Sequence, residues 1–247
     1  MGLRSGVVLG VLFLAGCSSH QAEPSKLTVA AAANLTDVFG EIGKAFTAKT
    51  GTEVVFSFGS TAQLAQQIDN GAPFDVFAAA DTEHVDSLVK SGKIVTDSRA
   101  VYAIGQLAMW SPSDAVKDLK DLAEKKVRFV SVAQPGLAPY GEATVQALKA
   151  AGLWEQVQPK IVYSNNISLA KQLAASGNAD AAFTAYSLVL HEKGNVVKVD
   201  PGLYRPIEQA LGLVASSKRV QEAKQFREFV LGPAGKAILE KSGYAVN

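Results

Sequence analysis

Four short stretches place neutral hydrogen-bonding residues where helices should begin. They are Asn34-Leu35-Thr36-Asp37, Ser60-Thr61-Ala62-Gln63, Pro139-Tyr140-Gly141-Glu142 and Asn165-Asn166-Ile167-Ser168, and each follows a run with strand character. In the first, Asn34 is a candidate N-cap with Asp37 turned back toward it. In the second, Ser60 as N-cap with Gln63 three residues later fits a capping box. A helix N-terminus presents unpaired N–H groups and a partial positive charge, which together favour an anion. No lysine or arginine falls within the four tetrapeptides, and the nearest downstream is Lys171. Such residues could hold an oxyanion by dipoles and hydrogen bonds alone. Asn and Ser also cap ordinary helices, so spacing leaves a purely structural role open.

The residues just before the first of these starts are unusually small. Ala30, Ala31, Ala32 and Ala33 end the run "LTVAAAA". A strand ending in alanine lets backbone approach a ligand closely, while the inward alternates pack under covering helices. The similar "FAAAD" at Phe77–Asp81 reads as core.

Catalysis has less support. "FGSTA" lacks the G-x-S-x-G elbow of a serine hydrolase. His20, His84 and His191 are not near the four predicted caps, although His84 lies in a polar helix start, and no C-x-x-C, H-E-x-x-H or P-loop pattern occurs. A hydrolase is therefore a remote alternative. Arg99, Arg128 and Arg205 could clamp a carboxylate, but none lies in a cap.

The elements that must position these caps follow from periodicity. Apolar residues at Leu35, Val38, Phe39, Ile42 and Phe46 recur at helical spacing up to Gly51. "TEVVFSFG" is a strand, Leu64 to Ile68 a helix, "FDVFAAAD" a buried strand, and 82–91 a helix. After "QLAMWSP" the alternation restarts with strands in "VRFVSVA", "KIVYS" and "ADAAFTAY" and helices over Thr144–Ala150 and Leu169–Ala175. The end reads as two amphipathic helices broken at Gly232-Pro233. Two successive α/β units predict two lobes with a cleft between them, and ligands of open α/β sheets bind at the strands' carboxyl ends.

The 247 residues carry a formal charge of +1. Residues 1–16 hold a single charge, Arg4, so the remainder is neutral and lacks the basic footprint of a nucleic-acid binder. Arg4 followed by the apolar run Gly6–Leu14 reads as a signal peptide, too short to span a bilayer. "LAGC" resembles the lipobox of bacterial lipoproteins, with Cys17, the one cysteine, as the lipidated residue and residues 17–25 as anchor and tether.

"LTVAAAANLTDVFGEIGKAFTAKTG", "SFGSTAQLAQQIDNGAPFDVFAAAD" and "GNADAAFTAYS" closely resemble the molybdate-binding proteins of bacterial ABC importers. The resemblance runs through the chain after the tether. It implies a type II periplasmic binding protein, α/β, with two lobes of mostly parallel sheet flanked by helices and ligand in the interlobe cleft. Lobe I is expected at 26–104 plus 208–247 and lobe II at 105–207. The resemblance places ligand contacts on Asn34 with the backbone of Ala33, on Ser60 and Thr61, on Tyr140, and on the N–H of Ile167. Asn166 is a further candidate. Some members use a tyrosine at the end of the late strand, where this chain has Ala185, and Tyr140 is expected to supply the phenol instead.

The implied ligand is molybdate, with tungstate alongside, and no cofactor or bare metal cation. Molybdate is a dianion whose oxygens only accept, so a site of donors suits it; phosphate near neutral pH usually carries a proton and would call for an acceptor. Sulfate differs from molybdate in size alone and remains an alternative. The implied partners are importer membrane subunits, which would recognise the closed form. The protein is expected to be a monomer, periplasmic or at the cell surface, held by its lipid.

Overall fold

A computed structural model describes Gly2 and residues 26–114 and 116–246. The expected signal peptide (Gly2 apart), Cys17 and the tether lie outside the described residues. In chain order the elements are β1 (Lys26–Ala32), α1 (Thr36–Thr50), β2 (Glu53–Gly59), α2 (Thr61–Asp69), β3 (Val76–Ala78), α3 (Glu83–Lys90), β4 (Ala100–Gly105) and β5 (Leu107–Ser111). There follow β6 (Val130–Ala133), α4 (Pro139–Ala150), α5 (Trp154–Val157), β7 (Ile161–Ser164), α6 (Ile167–Ala175), β8 (Ala181–Ala185), β9 (Asn195–Lys198), β10 (Ile207–Leu213), α7 (Val220–Leu231) and α8 (Pro233–Lys241).

The strands form two five-stranded sheets, ordered β2-β1-β3-β10-β4 and β7-β6-β8-β5-β9. In the first, β1 runs parallel to β2 and β3, and β10 is antiparallel to β3 and β4. In the second, β6 runs parallel to β7 and β8, and β5 is antiparallel to β8 and β9. Four strands of each sheet therefore point one way and a single strand opposes them. The opposed strands, β5 and β10, are those that receive the chain as it crosses between sheets. Gln106 alone separates β4 from β5. The return runs from β9 through a 3-10 turn at Pro201–Leu203 into β10.

Helices cover the sheets by the apolar stripes seen in the sequence. Val38, Phe39, Ile42 and Phe46 of α1 are buried. Phe46 meets Phe226 of α7 edge to face at 5.3 Å between ring centroids. The expected strands "FDVFAAAD" and "VRFVSVA" are ordered as strand only over Val76–Ala78 and Val130–Ala133. Strands β4, β5, β9 and β10 carry no signal in the sequence reading. "AIGQLAMW" has no turn residues to divide it, because the chain continues straight from one sheet into the other.

Candidate anion-binding site

All four helix starts meet in one small cavity between the sheets. Ala32, Ala33 and Asn34 line it at the end of β1, Gly59, Ser60 and Thr61 at the end of β2, Ala138, Pro139 and Tyr140 at the start of α4, and Asn166 and Ile167 at the start of α6. Ala80, beyond β3, completes the wall. The cavity volume is about 10 Å³, near the space one water needs. No lining residue is charged.

Each wall is set by local chemistry. Ser60 is the N-cap of α2 and its Oγ accepts the Gln63 N–H at 3.4 Å. The Thr61 Oγ1 accepts the Ala80 N–H at 3.1 Å. A hydroxyl has one proton to donate and two acceptor sites. Ser60 and Thr61, both buried, thus have acceptors engaged by backbone and a proton left to give. In the second half of the site Asn166 caps α6, its Oδ1 accepting from the Leu169 N–H at 3.0 Å. Tyr140 is the second residue of α4, after Pro139, whose missing N–H costs nothing there. A Cβ on Gly141 would strike the Ala133 carbonyl, so glycine lets this helix start abut the end of β6.

Two expected contacts are arranged otherwise. Asn34 lies in a 3-10 turn (Ala33–Leu35); α1 begins at Thr36 with no side-chain cap, and Asp37 is exposed. The Asn34 amide donates to Gln209 Oε1 at 2.9 Å and to the Tyr244 hydroxyl at 3.0 Å. The Tyr140 phenol accepts from Gln209 Nε2 at 3.0 Å. Both side chains therefore turn into a buried polar network, because closing the sheets together buries them beside Gln209. Both residues still line the cavity, where the first N–H groups of the helix starts lack intrahelical partners.

Ala185 does not reach the cavity. It is fully buried in β8, paired with Leu107. Tyr186 instead lies under Lys198, whose Nζ is 4.0 Å from the ring centroid. The residue of this turn that approaches the site is Ser187, whose hydroxyl donates to the Asn34 carbonyl at 3.3 Å and lies 3.0 Å from the Tyr244 hydroxyl. Sequence reasoning missed Ser187, Gln209, Tyr102 and Tyr244. A glutamine among the apolar residues of "IEQALGL" was the one available signal.

Burial holds the phenols of Tyr102 and Tyr140 well above their ordinary range. Burial likewise pushes Tyr244 up to about 12, partly opposed by hydrogen bonds from Ser187 and Asn34. All three stay neutral at physiological pH. Charged side chains appear in adjoining clefts. One, of about 210 Å³, is lined by Asp81, Glu83, Glu142, Arg205 and Glu208, among others. Glu142 belongs to this cleft and accepts from Gln146 at 2.9 Å. No carboxylate therefore faces the small cavity as an acceptor for a protonated anion. Among the described residues no group of three or more His, Cys, Asp or Glu could hold a metal ion.

Two mixed sheets crossed twice by the chain, with neutral helix starts of both converging between them, define a two-lobed solute-binding protein. The chain belongs to the family described as bacterial extracellular solute-binding protein, which it matches over residues 27–245. It is 37% identical over 225 residues to the molybdate-binding protein ModA of Rhodobacter capsulatus, covering 90% of this chain and 89% of the relative. It is also 37% identical over 249 residues to ModA of Azotobacter vinelandii, covering 98% and 97%. Among solved structures, the periplasmic molybdate-binding protein of Azotobacter vinelandii superposes with a TM-score of 0.86 at 32% identity, covering 90% of this chain and 99% of that one.

Proposed function

We propose that this chain captures molybdate, and tungstate with it, between its lobes and delivers the anion to the membrane subunits of an ABC importer. The observation that carries the reading is the cavity itself: helix starts of both lobes and the hydroxyls of Ser60 and Thr61 line it, and no charged side chain does. A fully deprotonated tetrahedral dianion needs donors on every side, and hydrogen bonds to an ionised acceptor are roughly twice as strong as neutral ones. The contact set is Asn34 and Tyr140, the backbone of Ala33 and Ile167, the hydroxyls of Ser60 and Thr61, and Asn166. The names and overlap of the relatives support the same ligand.

The working division is lobe I at 26–104 with 208–247 and lobe II at 105–207, with hinges where the chain crosses at Gln106 and before Ile207. Closure of the lobes is what the membrane subunits would read. Export by the leader and lipidation at Cys17 would hold a monomeric protein on the outer face of a membrane. Mass spectrometry of the mature protein tests that arm, and an unmodified Cys17 rejects it.

Calorimetric titration with molybdate, tungstate, sulfate and phosphate tests the ligand. Tight binding of the first two with little heat from the others is expected. Sulfate affinity comparable to that of molybdate would reassign the site to sulfate. Phosphate binding of that strength would contradict the absence of a facing carboxylate.

A further inference from the structure

We propose that Gln209 is a positioning residue for ligand capture. Its side-chain amide ties the Asn34 wall of the first half-site to the Tyr140 helix start of the second, and so sets their spacing without touching the anion. The proposal rests on the oxyanion-capture reading above.

The geometry is specific. Gln209 is fully buried in β10, two residues into the strand that follows the return crossing, and pairs with Ala103 of β4. Its Oε1 lies 2.9 Å from both Asn34 Nδ2 and the Tyr102 hydroxyl. Its Nε2 donates to the Tyr140 hydroxyl at 3.0 Å. One planar amide thus joins the turn after β1, the strand beside the hinge, and the first turn of α4. Asn34 and Tyr140 both line the cavity, whereas Gln209 does not.

Packing alone does not call for an amide here. Ile207 and Leu211, on the same face of β10, are buried and apolar. A leucine would fill the position without the cost of burying a polar group. Hydrogen bonds are directional where apolar contact is not, so the amide favours one relative placement of the lobes. The surroundings are cleared for it. A Cβ on Gly105, the residue before the crossing, would fall 2.5 Å from Gln209 Nε2 and closer still to the Tyr140 hydroxyl. Glycine at that hinge position lets the phenol of one lobe reach the amide of the other.

Tyr140→Phe, Gln209→Leu and the double variant test the assignment. Tyr140→Phe removes a single oxygen, the one that accepts from Gln209. Molybdate affinity is measured by calorimetry, dissociation by stopped flow, and the thermal midpoint without ligand. Each single variant should weaken binding by about 3- to 10-fold, mainly through faster dissociation. The double variant should lose no more than the worse single one, as expected when both remove one interaction. The ligand-free midpoint of Tyr140→Phe should stay near that of the unmodified protein. Unchanged molybdate affinity in Tyr140→Phe, or losses that simply multiply in the double variant, overturns the role of Gln209. If Gln209→Leu does not fold, Tyr102→Phe decides instead: it removes a partner of the Gln209 amide at a residue that does not line the cavity, and its molybdate affinity should fall, an unchanged affinity overturning the role. An unmodified protein that gives no heat with molybdate rejects the capture reading instead.

Discussion

Ser168, in the first turn of α6, donates its hydroxyl to the carbonyl of Ala33 at 2.9 Å, joining the two halves of the site. The same carbonyl accepts from Thr36 Oγ1 at 2.8 Å. Its neighbour, the Asn34 carbonyl, accepts from Tyr244 at 2.9 Å and Ser187 at 3.3 Å. Both carbonyls after β1 thus have their lone pairs occupied. An anion close to this turn meets N–H groups, with the oxygens that would repel it already paired. Ser168→Ala removes a bond that exists only while the lobes are together. It should weaken molybdate binding by about 2- to 10-fold, read by calorimetry, with little change in the thermal midpoint of the ligand-free protein.

Ser60 and Thr61 should differ from Ser168 in magnitude. Their hydroxyl protons are left to donate once backbone N–H groups occupy their acceptors. Ser60→Ala should cost on the order of 1–3 kcal/mol of binding, since a charged acceptor loses its partner in a buried site. Thr61→Val keeps the shape but removes both the donor and the acceptor for the Ala80 N–H. It should lower affinity and ligand-free stability together, measured by titration and by thermal unfolding. Unchanged molybdate affinity in Ser60→Ala would remove Ser60 from the contact set.

Gly105→Ala should oppose closure. The added Cβ has no room between the Tyr140 hydroxyl and the Gln209 amide, so the lobes would have to stay apart or the phenol move. Small-angle scattering with saturating molybdate should show less compaction than in the unmodified protein, and affinity should fall by about 10-fold or more. Full compaction in this variant would mean that the hinge tolerates the methyl group.

Alkaline pH should destabilise the protein through its buried phenols. Burial raises Tyr102 and Tyr140 well above the ordinary value, and Tyr244 from 10.0 to about 12. The native state therefore holds these protons more tightly than the unfolded chain does. Their contribution to stability is complete below pH 10.0 and is lost as pH rises through about 12. Thermal midpoints measured across this range should fall, and Tyr244→Phe should make the fall shallower. His84 acts in a lower window. Its hydrogen bond to Asp81 raises its pKa from 6.5, against a smaller lowering by burial. The stabilisation from that pair is complete below pH 6.5 and fades as pH rises above it. His84→Gln should remove this slope.

The hinge strands show where periodicity fails as a signal. Helices α1, α2, α6, α7 and α8 were legible because their stripes and stop residues sit within one stretch of chain. The 3-10 turn at Asn34 was not, because a one-turn offset before a helix leaves no trace in apolar spacing. Ser60 is legible as a cap, since an N-cap bonds backbone only three residues away. Asn34 was misread as one because its partners, Gln209 and Tyr244, are 175 and 210 residues distant.

The sequence by itself determined the alternation of strands and helices, the neutral character of the helix starts, and the small residues that let backbone line a site. These are local properties, set by neighbours within a turn or a pleat. Only the tertiary structure decided that the four starts share one cavity, and that the Asn34 and Tyr140 side chains are tied together beside it. That outcome depends on Gln209, brought between them when β10 returns to the first sheet. A side chain's hydrogen-bond partners across such distances follow from which surfaces are buried together, and no local pattern encodes that.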